Sequence, residues 1–509
     1  MKYDYDLICI GMGPAGMAVS AMAAEMGLKV CAIEKNKIGG ECMNVGCIPS
    51  KSILRISKYR YATKKLAEMG LTDAKLPDVK SPFPKIAEYL EYVSGKKTLK
   101  MFDKVHLLLG EGSASFVDDH TVKVTGVPHT IEESITNEDG KPNIDDGSTK
   151  LKNDEKCNEP VDKTITAQKI FIATGTEPMV PPINGLKDVD YLTNINLFQL
   201  EKVPKSMTII GGGAIGCEIA QAFSRLGTKC SIVQMDNFLL PIGDKEAGEL
   251  LQKTFEAEGI DVHNSEKISS VTQDKENDNI ITLTTESGLS IKSEQILVAA
   301  GRRIPLKDLN LEKAGVTYNK RCIEVDRKFR TSKKHIYAVG DCNGGVMLSH
   351  AAMHQGMSAV MNAVSPFSIG LCCKPAIPWT VFSDPQVSHV GLNQKQLKVS
   401  GIKYETHTVR YEDYGAAIAE NIGVGYVKVF TSSWGRVYGV SIVGDGSGEM
   451  INEWALVIQK KIRLHSIMFL AHSFPTMGFL SKRVAEVWMM SKMQKPWIQK
   501  IAKYFYRNL

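Results

Sequence analysis

The chain has no uninterrupted apolar run long enough to cross a bilayer, so no membrane-spanning helix is expected. Its opening residues, MKYDYDLICIGMGPAG, carry no small-residue cleavage site ahead of the first motif. No secretory signal is read there, and a cytoplasmic location is expected. No stripe of Arg and Lys with interleaved aromatics runs through the body of the chain, and the net charge of +6 is modest for 509 residues. Nucleic acid is therefore not an expected partner. Eleven cysteines, an odd number without a signal, argue against an extracellular disulfide framework. Cys9, Cys31 and Cys230 lie in apolar strand-like runs and read as core thiols. What is present is ordinary globular composition, 43% hydrophobic and 23% charged. The length suggests about three or four domains.

The organising feature is a unit that occurs twice. Residues 4–10 (DYDLICI) predict a buried strand, Gly11, Gly13 and Gly16 follow, a helix runs to Gly27, and residues 28–33 (LKVCAI) predict a second strand ending at Glu34. Residues 206–210 (SMTII), then Gly211, Gly213 and Gly216, a helix to Gly227 and a strand at 228–233 repeat the pattern, with Gln234 in the place of the acid. A dinucleotide site needs this order. The first glycine permits the tight turn, the second lets the backbone approach a pyrophosphate, and the third lets helix and strand pack closely. A glycine triplet alone is only a turn signal; the strand–helix–strand context makes it a nucleotide fingerprint. Glu34 can accept hydrogen bonds from a ribose diol. At Gln234 no Arg or Lys occurs within 230–242 to meet a 2′-phosphate, which favours NADH over NADPH.

Two cysteine pairs stand apart from the rest. Cys42 and Cys47 lie in GGECMNVGCIPSK, residues 39–51, where four intervening residues make a loop that a disulfide can close. A helix beginning there would aim its N-terminal dipole at the thiols and lower their pKa. Incidental buried thiols are the plainer reading, but the position directly after the first nucleotide unit weighs against it. No second Cys or His pair stands nearby, so no metal site is expected. Cys372 and Cys373 are adjacent and read as structural.

With GD at 340–341 and the two fingerprints, this cysteine segment closely resembles the pyridine nucleotide-disulfide oxidoreductases, which include dihydrolipoamide dehydrogenase, glutathione reductase and mercuric reductase. The resemblance covers nearly the whole chain. It implies an α/β fold of two Rossmann-like nucleotide-binding domains plus an α/β C-terminal dimerisation domain, working as a homodimer with FAD and NAD(P)H. The corresponding bounds are 1–205 for the FAD domain with a solvated insertion at 126–163, 206–325 for the NAD(P) domain, 326–370 for a return to the FAD domain, 371–495 for the interface domain and 496–509 for a basic amphipathic tail. The resemblance places Gly11, Gly13, Gly16 and Glu34 at the FAD adenosine, Thr174 and Gly175 at a second FAD turn, and Asp341 at the ribityl chain. Cys47 matches the thiol beside the flavin and Cys42 the interchange thiol. Lys51 matches the lysine near flavin N5 and Glu218 its carboxylate partner. Gly211, Gly213, Gly216 and Gln234 fall on the nicotinamide-nucleotide side, as do Gly301 and Arg302.

The pattern is broken in one place. Disulfide-reducing members carry a His immediately before a Pro and a Glu five residues after that His. In AHSFPTMGF, residues 471–479, those positions hold Phe474 and Phe479. His472 lies two residues upstream and reads as structural. A positioned acid–base contributes about 10²–10⁴-fold, so dithiol exchange is expected to be slow while electrons can still reach Cys42 and Cys47. Ala214 stands where the family often has an aromatic gate, leaving a more open nicotinamide pocket. Three functions follow: a dihydrolipoamide dehydrogenase-like reductase of a small-molecule or protein disulfide with an atypical exit, a reductase of a metal ion or quinone, and a redox sensor. The tail, PWIQKIAKYFYRNL, reads either as an interfacial helix on the inner surface of a membrane or as an extra helix packed on the dimer.

Overall fold

The computed structural model describes residues 2–72, 75–94, 96–126, 161–274, 279–365 and 375–508. The chain divides into two compact units, Met1–Pro49 with Ala87–Glu177 and Arg302–Cys373, and Ser50–Ile86 with Pro178–Gly301 and Lys374–Leu509.

In the first unit the predicted strand–turn–helix–strand is present as β1 (Tyr5–Ile10), α1 (Pro14–Glu25) and β2 (Val30–Glu34). The cysteine segment supplies α2 (Gly40–Asn44) and the start of α3 (Cys47–Ala62). The sheet continues through β3 (His106–Leu109), β4 (Ser113–Phe116), β5 (Thr121–Gly126) and β6 (Val161–Ile172), in the order β3-β2-β1-β6-β5-β4. β1 pairs β2 and the second half of β6 in parallel, whereas the first half of β6 pairs β5 antiparallel. One long strand thus turns the nucleotide sheet into a hairpin layer. This corrects the expected insertion at 126–163, because Gly126 ends β5 and residues 161–163 already belong to β6. The rest of that insertion, and Cys372 and Cys373, lie outside the described residues. The strand Ile336–Ala338 joins β6 in parallel, and Gly340–Asn343 forms a 3-10 turn after it. Parallel strands covered on both faces read as continuous apolar runs, and β1 ends in four buried residues while all of β2 is buried.

The second unit repeats the motif with Ser206–Ile210, helix Ala214–Leu226 and Lys229–Val233, in a five-stranded parallel sheet with Asp261–His263, Gln295–Val298 and Tyr191–Leu192. A three-stranded antiparallel sheet, Ile268–Asp274, Ile280–Thr285 and Ser290–Ser293, accompanies it. The C-terminal part is a five-stranded antiparallel sheet packed by helices Ser447–Gln459 and Phe479–Met493 around buried Trp454, Val440 and Val484. No helix among the described residues is long and apolar enough to cross a membrane.

Candidate active site

The first fingerprint is shaped by what a side chain would collide with. At Gly11, with φ of 96°, a Cβ would stand 2.5 Å from the Ala173 carbonyl oxygen; at Gly16 it would stand 1.8 Å from the Gly11 carbonyl oxygen. At Gly13 a Cβ would meet nothing within 4 Å. Two glycines therefore answer to the fold and one to open space in front of the helix. Gly175, with φ of 66°, likewise faces no protein atom within 4 Å, and the buried Thr174 Oγ1 beside it has no hydrogen-bond partner among the described residues. An orphaned buried hydroxyl costs free energy unless something satisfies it. Glu34 is buried, its two oxygens accept the Met12 and Asn36 N–H groups at 2.8 and 2.9 Å, and burial pushes its pKa up. Each oxygen keeps a second lone pair for a diol. These features fit a dinucleotide flavin: Gly13 leaves room for the pyrophosphate, Glu34 can hold the ribose, and Thr174 waits for an acceptor or donor.

The cysteine loop packs directly on this cradle. Gly39 N–H donates to the Met12 carbonyl at 2.8 Å, and a Cβ on Gly40 would lie 2.9 Å from the Gly13 Cα. Gly39 and Gly40 both have positive φ, 87° and 56°, which a β-carbon would strain. Asn44 Nδ2 donates to the Ile38 and Gly40 carbonyls at 3.0 and 2.8 Å, closing the loop from inside. Cys47 opens α3 and Cys42 sits in α2. Neither is in a disulfide. The two thiols hydrogen-bond to each other. That bond first, and burial second, hold the Cys42 thiol well above the usual thiol range. The dipole argument lowers both thiols, whereas the shift at Cys42 runs upward, through the hydrogen bond with Cys47 and through burial. Ser349, which no sequence signal singled out, lies 3.5 Å from Cys47 Sγ and also hydrogen-bonds Cys42, lowering the pKa in part.

Glu41, next to Cys42, pairs with the Arg302 guanidinium. Arg302 also donates to Thr176 Oγ1 at 2.6 Å and to the Thr176 carbonyl at 2.9 Å, and Thr176 Oγ1 donates to Asp341 at 2.9 Å. Burial raises the pKa of Asp341, opposed by the Thr176 hydrogen bond and by Arg302. The sequence set Arg302 on the nucleotide side; its side chain instead ties the cysteine loop to the turn carrying Asp341. Glu41 was missed because an acid in a glycine loop has no periodicity or spacing to mark it.

In the second unit, Lys51 Nζ meets Glu218 at 2.8 Å, and the other Glu218 oxygen accepts the Phe382 N–H at 2.9 Å. Lys51 also lies over the Phe382 ring, 4.6 Å from its centroid. The nicotinamide-side fingerprint has the geometry of the first. A Cβ on Gly211 would stand 2.5 Å from the Ala299 carbonyl oxygen, one on Gly216 would stand 1.9 Å from the Gly211 carbonyl oxygen, and one on Gly213 would meet nothing within 4 Å. Gln234 is buried, its Nε2 donating to Asn264 at 2.6 Å and its Oε1 crowding the face of Gly212. Gly301, with φ of 130°, lies three residues beyond the strand Gln295–Val298, and its carbonyl accepts the Met179 N–H at 3.0 Å.

Phe474 and Phe479 are in edge contact, with centroids 5.3 Å apart, and Phe479 stacks on Tyr414 at 6.1 Å. Phe474 is 71% exposed. His472 is engaged at both nitrogens, Nε2 with Glu453 at 3.0 Å and Nδ1 with the Leu470 carbonyl at 3.3 Å. No metal site was expected, and among the described residues one group of three potential ligands occurs, Asp119, His120 and His335. Its imidazoles stack face to face at 4.0 Å and 8°, each with one nitrogen on a backbone carbonyl, and Lys333 occupies Asp119 at 3.0 Å. Parallel stacked rings cannot aim in-plane lone pairs at one ion, so this is a structural cluster.

Two nucleotide cradles and a dithiol loop on one of them define a flavin-dependent nicotinamide–dithiol oxidoreductase. Residues 5–356 match the family model for pyridine nucleotide-disulphide oxidoreductases and residues 377–482 match that family's dimerisation domain. The chain belongs to the pyridine nucleotide-disulphide oxidoreductase family; it is FAD-dependent, uses NAD(P)H, and carries a domain that supports a homodimer. It is 31% identical over 495 residues to a dihydrolipoyl dehydrogenase of Geobacillus stearothermophilus, covering 95% of this chain and 96% of that one. It is 30% identical over 498 residues to a mercuric reductase of Lysinibacillus sphaericus, covering 96% and 84%. The solved structure of the HOCl-induced flavoprotein disulfide reductase RclA from Escherichia coli shares the fold with a TM-score of 0.78 at 21% identity, covering 96% of this chain and all of that one.

Proposed function

We propose that this chain oxidises NAD(P)H, with NADH preferred, and passes the electron pair through Cys47 and Cys42 to a thiophilic metal ion. The observation that carries this reading is the Phe474–Phe479 contact. Aromatic rings fill both positions where disulfide-reducing members hold their acid–base pair, and His472 has both nitrogens occupied. A metal ion needs no proton delivered to a leaving sulfur, and two cysteine sulfurs that give up their protons to it are soft ligands suited to it. Among similar proteins, three are named mercuric reductases, and RclA has been solved as a Cu(II) complex.

Bound FAD supplies a route for the hydride electrons from nicotinamide to the disulfide. The chain's own residues hold the charges. The hydrogen bond between the two thiols raises the pKa of Cys42, and the same bond can stabilise a thiolate on its partner. Lys51, one turn after Cys47 on α3 and fixed on Glu218, supplies a positive charge. Oxidation of the dithiol to the disulfide releases two protons and two electrons, enough to reduce one Hg(II) to the metal or two Cu(II) to Cu(I). The lack of Arg or Lys around Gln234 supports the NADH preference.

A second reading, reduction of a small disulfide, is favoured by the identity to a dihydrolipoyl dehydrogenase. Anaerobic titration of the holoenzyme with NADH is the first test: a long-wavelength band at two electrons, lost in Cys47→Ser, is expected. Steady-state turnover then separates the acceptors. Hg(II) or Cu(II) reduction should exceed dithiol exchange by about 10²-fold, the scale of a missing acid–base group. Equal or faster turnover with dihydrolipoamide would sink the metal-ion reading.

A further inference from the structure

We propose that the C-terminal helix, Pro496–Asn508, is an interfacial helix that holds the protein against an anionic lipid surface. No residue of this helix is buried. The helix before it, Phe479–Met493, buries Leu480, Ser481, Val484, Ala485 and Trp488, so the contrast is abrupt. At 3.6 residues per turn, Trp497, Ile498, Ile501, Tyr504 and Phe505 share one arc, and Lys500, Lys503 and Arg507 occupy the opposite one. Trp497, Tyr504 and Phe505 are 59%, 65% and 53% exposed. A protein spends such rings on the surface only where something apolar meets them.

Charge identifies the occupant. Residues 487–509 contain no Asp or Glu. Lys492 is taken by Glu405 at 2.5 Å, but Lys500, Lys503 and Arg507 have no carboxylate partner among the described residues. Unpaired cations beside an apolar arc complement acidic headgroups above acyl chains. Tyr504 and Trp497 stand on one border between the two arcs and Tyr506 on the other, where amphipathic rings sit at a lipid–water boundary. Thirteen residues make a rod of roughly 20 Å, too short to span a bilayer and suited to lie on one.

The test is sedimentation of the full-length holoenzyme with equimolar phosphatidylcholine–phosphatidylglycerol vesicles against pure phosphatidylcholine. Binding to the charged vesicles alone, reversed by high salt, is expected. Replacing Lys500, Lys503 and Arg507 by Gln should weaken it by roughly a hundredfold, about fivefold for each cation, and Ile501→Asp should abolish it. FAD content and the NADH titration should be unchanged in these variants, which separates this result from the metal-ion reading. Equal binding to both vesicle types, binding to neither, or undiminished binding after deletion of 496–509 would overturn the proposal. Dissociation of a dimer on that deletion, without vesicle binding by the full chain, would assign the helix to a subunit contact instead.

Discussion

Phe474 is the residue at which chemistry and packing part company. Its ring is largely exposed and touches Phe479, and neither of these two side chains can carry a proton. Restoring that ability should restore dithiol chemistry. The double variant Phe474→His, Phe479→Glu is expected to raise turnover with dihydrolipoamide by about 10²-fold, the lower end of what a positioned acid–base supplies. Steady-state assay checks it, with Phe474→His alone as the control that perturbs packing least. Cys42 gives a second prediction. Its thiol is held above the ordinary value of about 8.5 by the bond to Cys47 and by burial. The sign is that protonated Cys42 is favoured as long as the pair is reduced and folded. Alkylation of reduced Cys42 by iodoacetamide should therefore still be accelerating at a pH where an exposed thiol has levelled off. Mass spectrometry across pH reads this out, and a plateau near the ordinary thiol value would contradict it.

At the scale of the element, each fingerprint turn separates glycines that fold the chain from the one that leaves room for a ligand. Gly16→Ala would drive a Cβ to 1.8 Å from the Gly11 carbonyl oxygen and should cost the fold of the first unit. Gly13→Ala meets no protein atom within 4 Å and has an ordinary negative φ of −69°, so the chain should fold and lose FAD affinity instead. Gly213→Ala, at φ of −78°, should keep its FAD and raise KM for NADH. Flavin content after purification and nicotinamide titration tell the three apart. These strands and turns were legible in the sequence because strand burial and glycine spacing are local. The bounds moved by a residue or two, as with β2, which begins at Val30 and includes Glu34. The insertion was drawn too wide because polar residues 161–163 form a strand through their pairing with β5, which composition does not record.

At the scale of the whole molecule, the second unit is fastened by a charged knot. Arg225, with 5% of its side chain exposed, bonds Glu258 and Asp384, and its guanidinium lies 4.1 Å from the Tyr61 ring centroid. Removing Arg225 would leave Glu258, 4% exposed, as a buried carboxylate without its cation, with the Gln221 amide at 3.1 Å still bonded to it. Arg225→Ala should therefore lose about 3–5 kcal/mol of stability, measured by denaturant unfolding of the holoenzyme. None of this was visible beforehand: Arg225, Glu258 and Asp384 are far apart in the chain and carry no motif. The same holds for Ser349 at the thiols and for Arg302 on Glu41. By itself the sequence determined the two glycine-bearing units, the loop that carries Cys42 and Cys47, and the phenylalanines at 474 and 479, because each is written in residues within a few turns of one another. Only the tertiary structure decided that Ser349 and burial bear on the Cys42 thiol, where Arg302 points and how His472 is occupied. Those depend on burial and on partners brought from distant segments, and electrostatic and hydrogen-bond energies follow distance in space rather than distance along the chain.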